Sequence, residues 1–592
     1  MPDNFGKHEV GHSSLTSHGQ LKFPETEFKG VHEHEEPLPP IGVMVTLISL
    51  AVVLTATATL VTSLQVSIPL TAPSNASIVP PDFISFSIEQ DHWTDWVGSN
   101  TASKNQFFAN VLDNIIQLTG TPPRFRIGAD SEDRTDFQAG LQFTEEHTFP
   151  PSATTPYAEA SNITVGEAFY LAAQNLPVGT HVTWGVNLKS DNVTAVFLEA
   201  QAIADAFKSS SKLTLDAIEI GNEPNEYHGT YRPDNYSIAD YIKEWTTFAT
   251  NISATVPIND DSTVKFWGGA FAGSATHNAS GFAPQGLFGN GVQNSAAGQQ
   301  IKTYAAHFYN MGGGANCGSI SSCIQGLMSK TSIRGNLTQW IPDIAFVKSL
   351  GLDYVFGESN SYTGHGLANV SNSAGRSKPK TQIPYVAQPA VSSNCLGAAL
   401  WLLDNVFHAT QLGVDRFYFH EGVGYKYNFI QPVTLNVSIT DGTPLNPPLP
   451  PHVQPLYYGA IIAAEIIGNE GGTLVTELSV NSSTISAYAI YTQDGTLSKA
   501  LFINSEGFFT ENSDGDRNSV HLDFSISGTA PSGISVKRLV INHADDTSGL
   551  TWAGQTYQTL DGKVGGTKSI GTGNVSDGVD IPATQAVLVA FN

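Results

Sequence analysis

Residues 216–224 read DAIEIGNEP and residues 353–360 read DYVFGESN. Each is a strand-length apolar run that reaches a glycine and then a glutamate: Gly221-Asn222-Glu223 in the first, Gly357-Glu358 in the second. Runs of the same texture recur on either side, at FISFSIE (83–89), RFRIG (124–128), HVTWGVN (181–187), VKFWGGAF (264–271), YAAHFY (304–309) and RFYFHE (416–421). With the first two they make eight strands. Helix-like stretches such as VGEAFYLAAQNL, TAVFLEAQAIADAFKSS and SIADYIKEWTTFATNI lie between them. Strands that alternate with helices in this way predict an α/β fold, a (β/α)8 barrel. From about Gly472 the texture changes to short alternating strands separated by Gly, Asn and Asp turns, for example STISAYAIYT, SKALFINS, ISVKRLVIN and AVLVAF. That pattern predicts an antiparallel β-sandwich. The expected division is a barrel over 82–470, ending in the helix-like PLYYGAIIAAEIIG, a sandwich over 471–592, and a stem over 65–81 that can lend the sandwich a strand.

The 592-residue chain is 41% hydrophobic and 10% aromatic, a globular composition long enough for two or three domains. A net charge of −25 and the lack of a Lys/Arg cluster exclude a nucleic-acid partner. Residues 41–64 carry no charge, enough to span a bilayer as a helix, behind a polar tail over 1–40 that is expected to be disordered. Lys22 and Lys29 precede the run and no Lys or Arg follows until Lys104. The expectation is therefore a single-pass membrane protein with a cytoplasmic tail and a lumenal or extracellular catalytic part; cleavage at Ala56-Thr57-Ala58 is the alternative. Asn-x-Ser/Thr sequons recur from Asn75 to Asn574, all beyond the run, as expected of an N-glycosylated protein. Of the three cysteines, Cys317 and Cys323 can close a small disulfide loop and leave Cys395 free, or all three can stay unpaired. No His/Cys set has zinc-ligand spacing.

In a (β/α)8 enzyme the side chains at the carboxyl ends of the strands converge on one site. Strands 4 and 7 end in Glu223 and Glu358, two carboxyls on opposite sides of the barrel. Retaining glycoside hydrolysis needs two carboxyls ~5–5.5 Å apart, one protonated to serve the leaving oxygen and one ionised to attack the anomeric carbon. Glu223 is assigned the acid/base role, which requires a raised pKa, and Glu358 the nucleophile, which must stay ionised. The competing reading makes both surface carboxylates that cap helices. Asn222 is placed to meet the sugar 2-hydroxyl and Tyr309 to donate to Glu358. Glu89 is a sugar contact or one half of a structural ion pair, Arg126 an ion-pair partner or a substrate contact, and His307 a support beneath the pocket.

These motifs resemble clan A glycosidases, and more narrowly glycoside hydrolase family 79, which contains β-glucuronidases and heparanase. The resemblance runs from about Phe83 to the end of the chain and rests on SFSIE, RFRIG with Asp130-Ser131, GNEPN, HFY, FGESNSYTG and EGVGYKYNFI. It implies retention of configuration, no metal or organic cofactor, and a glucuronate-containing glycan or polysaccharide as substrate, cleaved from its end. It carries the acid/base to Glu223 and the nucleophile to Glu358. It also makes Glu89, Asn222 and Tyr309 sugar-site or nucleophile-supporting residues, Tyr427 or Tyr425 the aromatic residue after strand 8, and the loop over Tyr362, Thr363, Gly364 and His365 the site for the donor carboxylate. Two departures stand out. Thr363 occupies the place where the resemblance implies a tyrosine, with His365 as a compensating donor. Strand 2 continues Gly128-Ala129-Asp130, and a further carboxylate facing an anionic sugar costs Coulomb energy unless it is protonated or paired. A neutral-sugar glycosidase of the same clan and a non-catalytic carbohydrate-binding glycoprotein remain as alternatives. The sequence is silent on oligomeric state.

Overall fold

The computed structural model describes residues 63–150, 156–273, 277–311, 319–366, 397–512, 515–528, 531–546 and 548–592. Eight parallel strands close into a barrel in chain order: Ile84–Glu89, Phe125–Gly128, His181–Val186, Thr214–Ile220, Lys265–Phe271, Ile301–Met311, Asp353–Tyr362 and Arg416–Glu421, numbered 1 to 8 below. Strand 8 pairs back to strand 1, Phe417 opposite Ile84. Most strand residues are buried on both faces, one toward the helices and one toward the barrel interior. Outside, aromatic side chains fill the layer between strands and helices: Phe86 stacks on Phe125 at 5.3 Å, and Trp184 meets Tyr170 at 5.3 Å and Trp93 at 5.7 Å. Each such ring removes enough surface from water to contribute about 1.5–3 kcal/mol.

The interior gets its room from small residues. A Cβ at Gly185 would stand 1.8 Å from Glu132 Oε2, and one at Gly128 only 2.3 Å from the same atom. Both glycines are what let the Glu132 carboxyl lie beneath the site. At Gly357 a Cβ would come within 2.9 Å of the Trp267 ring.

Strand 7 is longer than its sequence suggests. It runs past Glu358 through Ser359, Asn360 and Ser361 to Tyr362, because strand 6 also continues to Met311 and keeps pairing with it: His307 opposite Glu358, Tyr309 opposite Asn360, Met311 opposite Tyr362. Glu358 thus sits inside a strand rather than at its end. After strand 2 the chain leaves the barrel to form a small sheet of Thr135–Phe137, Asn162–Val165 and Glu145–Thr148 before returning. This small sheet lies outside the elements expected from the sequence. Two short pairings, Leu435–Val437 with Pro444–Leu449 and Ile430–Gln431 with His452–Val453, follow strand 8.

The C-terminal part is a ten-stranded sheet covered by a three-stranded one. Alternation decides its two faces. In Ile485–Tyr491, Tyr488 and Ile490 join the main core with the barrel helices, whereas Ile485, Ala487, Ala489 and Tyr491 face the second sheet. Arg334 fastens barrel to sheet by bonding Asp404 on helix Gly397–Leu412 together with Glu477 and Tyr488. The segment before the barrel contributes to both sheets. Ser77–Val79 pairs antiparallel with Thr473–Glu477, and Ser63–Ile68 pairs parallel with Ser519–Ile526, an exception in an otherwise antiparallel assembly.

Ser63 and Leu64, the last two residues of the expected membrane span, therefore belong to a strand. The rest of that span lies outside the described residues, among which no helix is long and apolar enough to cross a membrane. Cys323, in helix Ile320–Met328, is disulfide-bonded, while Cys317 and Cys395 lie outside the described residues.

Candidate active site

At the carboxyl ends of the strands lies a cavity of about 210 Å³ lined by Glu89, Asp130, Glu159, Glu223, Ala272, Tyr309, Glu358, Thr363, Gly364, His365, His420 and Tyr427. Nine of the twelve are acids, histidines, or tyrosines hydrogen-bonded to them or beside them. Its floor is built around strands 2, 4, 6, 7 and 8.

Glu223 follows strand 4 in a left-handed backbone conformation (φ 47°, ψ 49°). A non-glycine residue is strained there, and it is held by its own N–H bonding to Ala270 O at 2.9 Å and by Pro224, which opens a 3-10 turn. Its Oε1 meets His307 Nδ1 at 2.8 Å. Glu358 accepts from Tyr309 Oη at 2.7 Å and from Arg126 Nη1 at 2.7 Å. One carboxylate oxygen from each glutamate and a ring nitrogen of His307 lie within 4.8 Å of one another. These three groups have the donor chemistry to hold a cation, yet the Arg126 guanidinium is already bound to Glu358 Oε2, the oxygen nearest His307, which disfavours a second positive charge there.

Arg126 is fully buried on strand 2 and organises the floor. Besides Glu358 it donates to Ser87, to Asn222 Oδ1 at 2.8 Å and, through Nε and Nη2, to Glu219. Asn222 spends its other amide end on Asp130 Oδ1 at 2.9 Å. Asn222 consequently stands behind the wall and does not line the cavity.

The electrostatics separate the two glutamates. Withdrawal from water, reinforced by the facing Glu358 and then Glu226, pushes Glu223 up to about 8. Burial works the same way on Glu358, but His420, His307, Arg126 and the Tyr309 hydroxyl together outweigh it and hold that carboxyl far below the usual range. Burial drives His307 down to about 4, so it is neutral. His420 is raised to about 9 against burial by Glu358 and Glu89, so it is charged. The resulting state at neutral pH is a protonated Glu223 beside an ionised Glu358.

The other end of the cavity is made by loops. Glu89, at the end of strand 1, accepts from the Ser131 N–H at 3.1 Å and from the Ser131 hydroxyl, from His420 Nε2 at 3.2 Å and from Tyr425 Oη at 3.3 Å. It has no arginine partner among these contacts. Glu159, carried in by the insertion after strand 2, accepts from His365 Nε2 at 2.6 Å and Arg134 Nη1 at 2.6 Å. Those two partners, against burial, bring it down to about 2. His365 stacks flat on Tyr425 at 4.0 Å, tying together the loops after strands 2, 7 and 8. Thr363, Gly364, His365 and Tyr427 line the cavity, but Tyr362, still in strand 7, is buried away from it. Glu159 and His420 escaped the sequence analysis. His420 had a signal, being the penultimate residue of RFYFHE; Glu159 sits in an aperiodic loop and had none.

Residues 487–588 match the family model of the glycosyl hydrolase family 79 C-terminal beta domain. The chain is 26% identical over 549 residues to a β-glucuronidase of Neurospora crassa, covering 85% of this chain and 89% of that one. It is 26% identical over 559 residues to a β-glucuronidase of Aspergillus niger, covering 89% and 94%. Among solved structures it resembles a 4-O-α-L-rhamnosyl-β-D-glucuronidase from Fusarium oxysporum (TM-score 0.70, 23% identity, 89% of this chain and 100% of that one), a likeness of fold. Barrel, sandwich, paired glutamates and these relatives all point toward glycoside hydrolase family 79, to whose C-terminal beta domain the end of the chain is similar.

Proposed function

We propose that the protein is a retaining exo-β-glucuronidase that removes terminal glucuronic acid from glycans or polysaccharides. The observation that carries the reaction type is the separation of the two carboxyls, whose oxygens approach within 4.8 Å. That is near the ~5–5.5 Å of retaining enzymes and well short of the ~6.5–9.5 Å that inverting enzymes need to fit a water. Glu223 donates its proton to the glycosidic oxygen as the Glu358 carboxylate attacks the anomeric carbon and forms a glycosyl ester. Water then attacks that carbon, giving its proton to Glu223 and freeing Glu358. Tyr309 and Arg126 hold the nucleophile's oxygens in place. A cavity of about 210 Å³ suits one pyranose, which favours removal of terminal sugars. The glucuronate donor is supported by the names of the two fungal relatives, and His365, Thr363 and Gly364 are the groups assigned to its carboxylate.

The test is hydrolysis of 4-nitrophenyl β-D-glucuronide against the matching β-glucoside, with the first-formed anomer read by NMR. Glucuronide cleavage with the β-anomer appearing first is expected. Turnover of the glucoside alone removes the donor assignment, and a first-formed α-anomer removes the double displacement.

The protein is further proposed to be a membrane-anchored glycoprotein with its catalytic part outside the cytoplasm. The uncharged run from Ile41, the lysines before it and the sequons after it support this. A glycosidase-sensitive mass and resistance to carbonate extraction are expected; a glycan-free cytosolic product overturns it.

A further inference from the structure

The cavity is acidic for a site that receives an anionic sugar. Five carboxyls line it, and the partners of four are set by the fold: Ser131, His420 and Tyr425 for Glu89, His365 and Arg134 for Glu159, Arg126 and Tyr309 for Glu358, and His307 for Glu223. Asp130 is the exception. Its Oδ1 accepts from Asn222 Nδ2 at 2.9 Å, but its Oδ2 stands 3.6 Å from Arg134 Nη2, beyond hydrogen-bond range, and that guanidinium is already bound to Glu159 through Nη1. The groups that face it are Glu159 and Arg134 from the loop after strand 2, Glu223 and Asn222 from strand 4, and Glu89 from strand 1. Partial withdrawal from bulk water, then the facing carboxyls of Glu159, Glu223 and Glu89, already push it above the ordinary carboxyl range.

With 49% of its side chain exposed, Asp130 keeps contact with water in the open cavity, and that water screens its charge. A sugar seated in the cavity displaces the water and brings one more negative charge. Both effects favour the neutral acid.

We infer that Asp130 takes up a proton as a uronate donor binds and then serves that sugar as a hydrogen-bond donor through Oδ2. The inference rests on the glucuronate assignment above. The proton comes from solvent and adds to Oδ2, with no bond broken and nothing oxidised. A protonated aspartate then presents one acceptor and one donor, the pairing an asparagine side chain offers. Recognition of an acidic sugar by this acidic cavity becomes coupled to pH, whereas a neutral sugar of the same shape lacks the charge that drives the uptake.

Glu223 also titrates, so the test starts from the Glu223→Gln variant. Binding of glucuronate, and of glucose as the neutral control, is measured by calorimetry from about pH 5 to about pH 8 in buffers of different ionisation enthalpy. The expected result is an uptake that approaches one proton per glucuronate at its maximum, with affinity falling about tenfold per pH unit across that window. Adding Asp130→Asn should abolish the uptake and flatten the profile, and glucose should show little of either. No uptake with Glu223→Gln alone, or the same uptake after Asp130→Asn, overturns the inference. A wild-type protein that cleaves no glucuronide overturns the function beneath it; cleavage without proton uptake overturns the inference only.

Discussion

The floor of the cavity and its donor end are built differently. The floor comes from strands, its charges are buried, and one guanidinium satisfies four neighbours at once. The donor end comes from loops after strands 1, 2, 7 and 8, its Asp130 is half exposed, and its acids are held largely by partners from neighbouring loops. The contrast separates two tasks. Under the proposed function, displacement at the anomeric carbon, which tolerates little movement, falls to the strand-built floor, whereas the choice of sugar falls to loop segments that can change without disturbing the barrel.

Four variants sharpen that contrast, in falling order of effect. Glu358→Gln should lower kcat by about 10^4-fold or more, since it removes the attacking group itself. Steady-state kinetics on an aryl glucuronide reads this, and activity near wild type would break the assignment. Glu223→Gln should cost about 10^2–10^4-fold, and more for poor leaving groups than for activated ones. It should also change the pH profile. In the wild type kcat, read at saturating substrate, falls as pH rises through about 8, because Glu223 loses the proton it must donate, and falls at low pH only where Glu358 takes one up. The alkaline limb should be missing from the glutamine variant. Arg126→Met leaves Glu219 and Glu358 buried without their cation, so about 3–5 kcal/mol of stability should be lost, seen as a lower melting temperature. At the donor end, His365→Ala should raise KM for a glucuronide by roughly tenfold, the worth of one charge-assisted hydrogen bond, with kcat nearly unchanged and a smaller drop in melting temperature than Arg126→Met, since Glu159 keeps Arg134. A large loss of kcat in that variant would mean that the two ends do not divide the work.

The barrel was legible because each of its strands is a dense apolar run at regular spacing, and both glutamates stood at recognisable points on two of them. Boundaries were less so. Strand 7 continues through Ser359, Asn360 and Ser361, polar residues that look like a loop in sequence and are kept in the sheet by the equally long strand 6. That extension makes Tyr362 the buried last residue of the strand, and the loop residues Thr363 and His365 line the cavity in its place. Asn222 was assigned to the sugar; its amide is committed to Arg126 and Asp130, partners brought near only by closure of the barrel. Glu159 shows the harder limit. Its importance comes from His365, 206 residues away in the chain, and no local pattern marks such a pair.

The parallel pairing of Ser63–Ile68 with Ser519–Ile526 also bears on how the chain comes to be folded. Ser63 finds its partner Asp523 460 residues later, after the whole barrel has been synthesised. Until then the earlier strand has no sheet to join, and Val66 and Ile68, buried in the finished protein, are left in water. A fragment cut to the barrel and C-terminal sheets alone, beginning at Asp82, would reproduce the reverse problem: the edge of Ser519–Ile526 would be bare and open to pairing with another molecule.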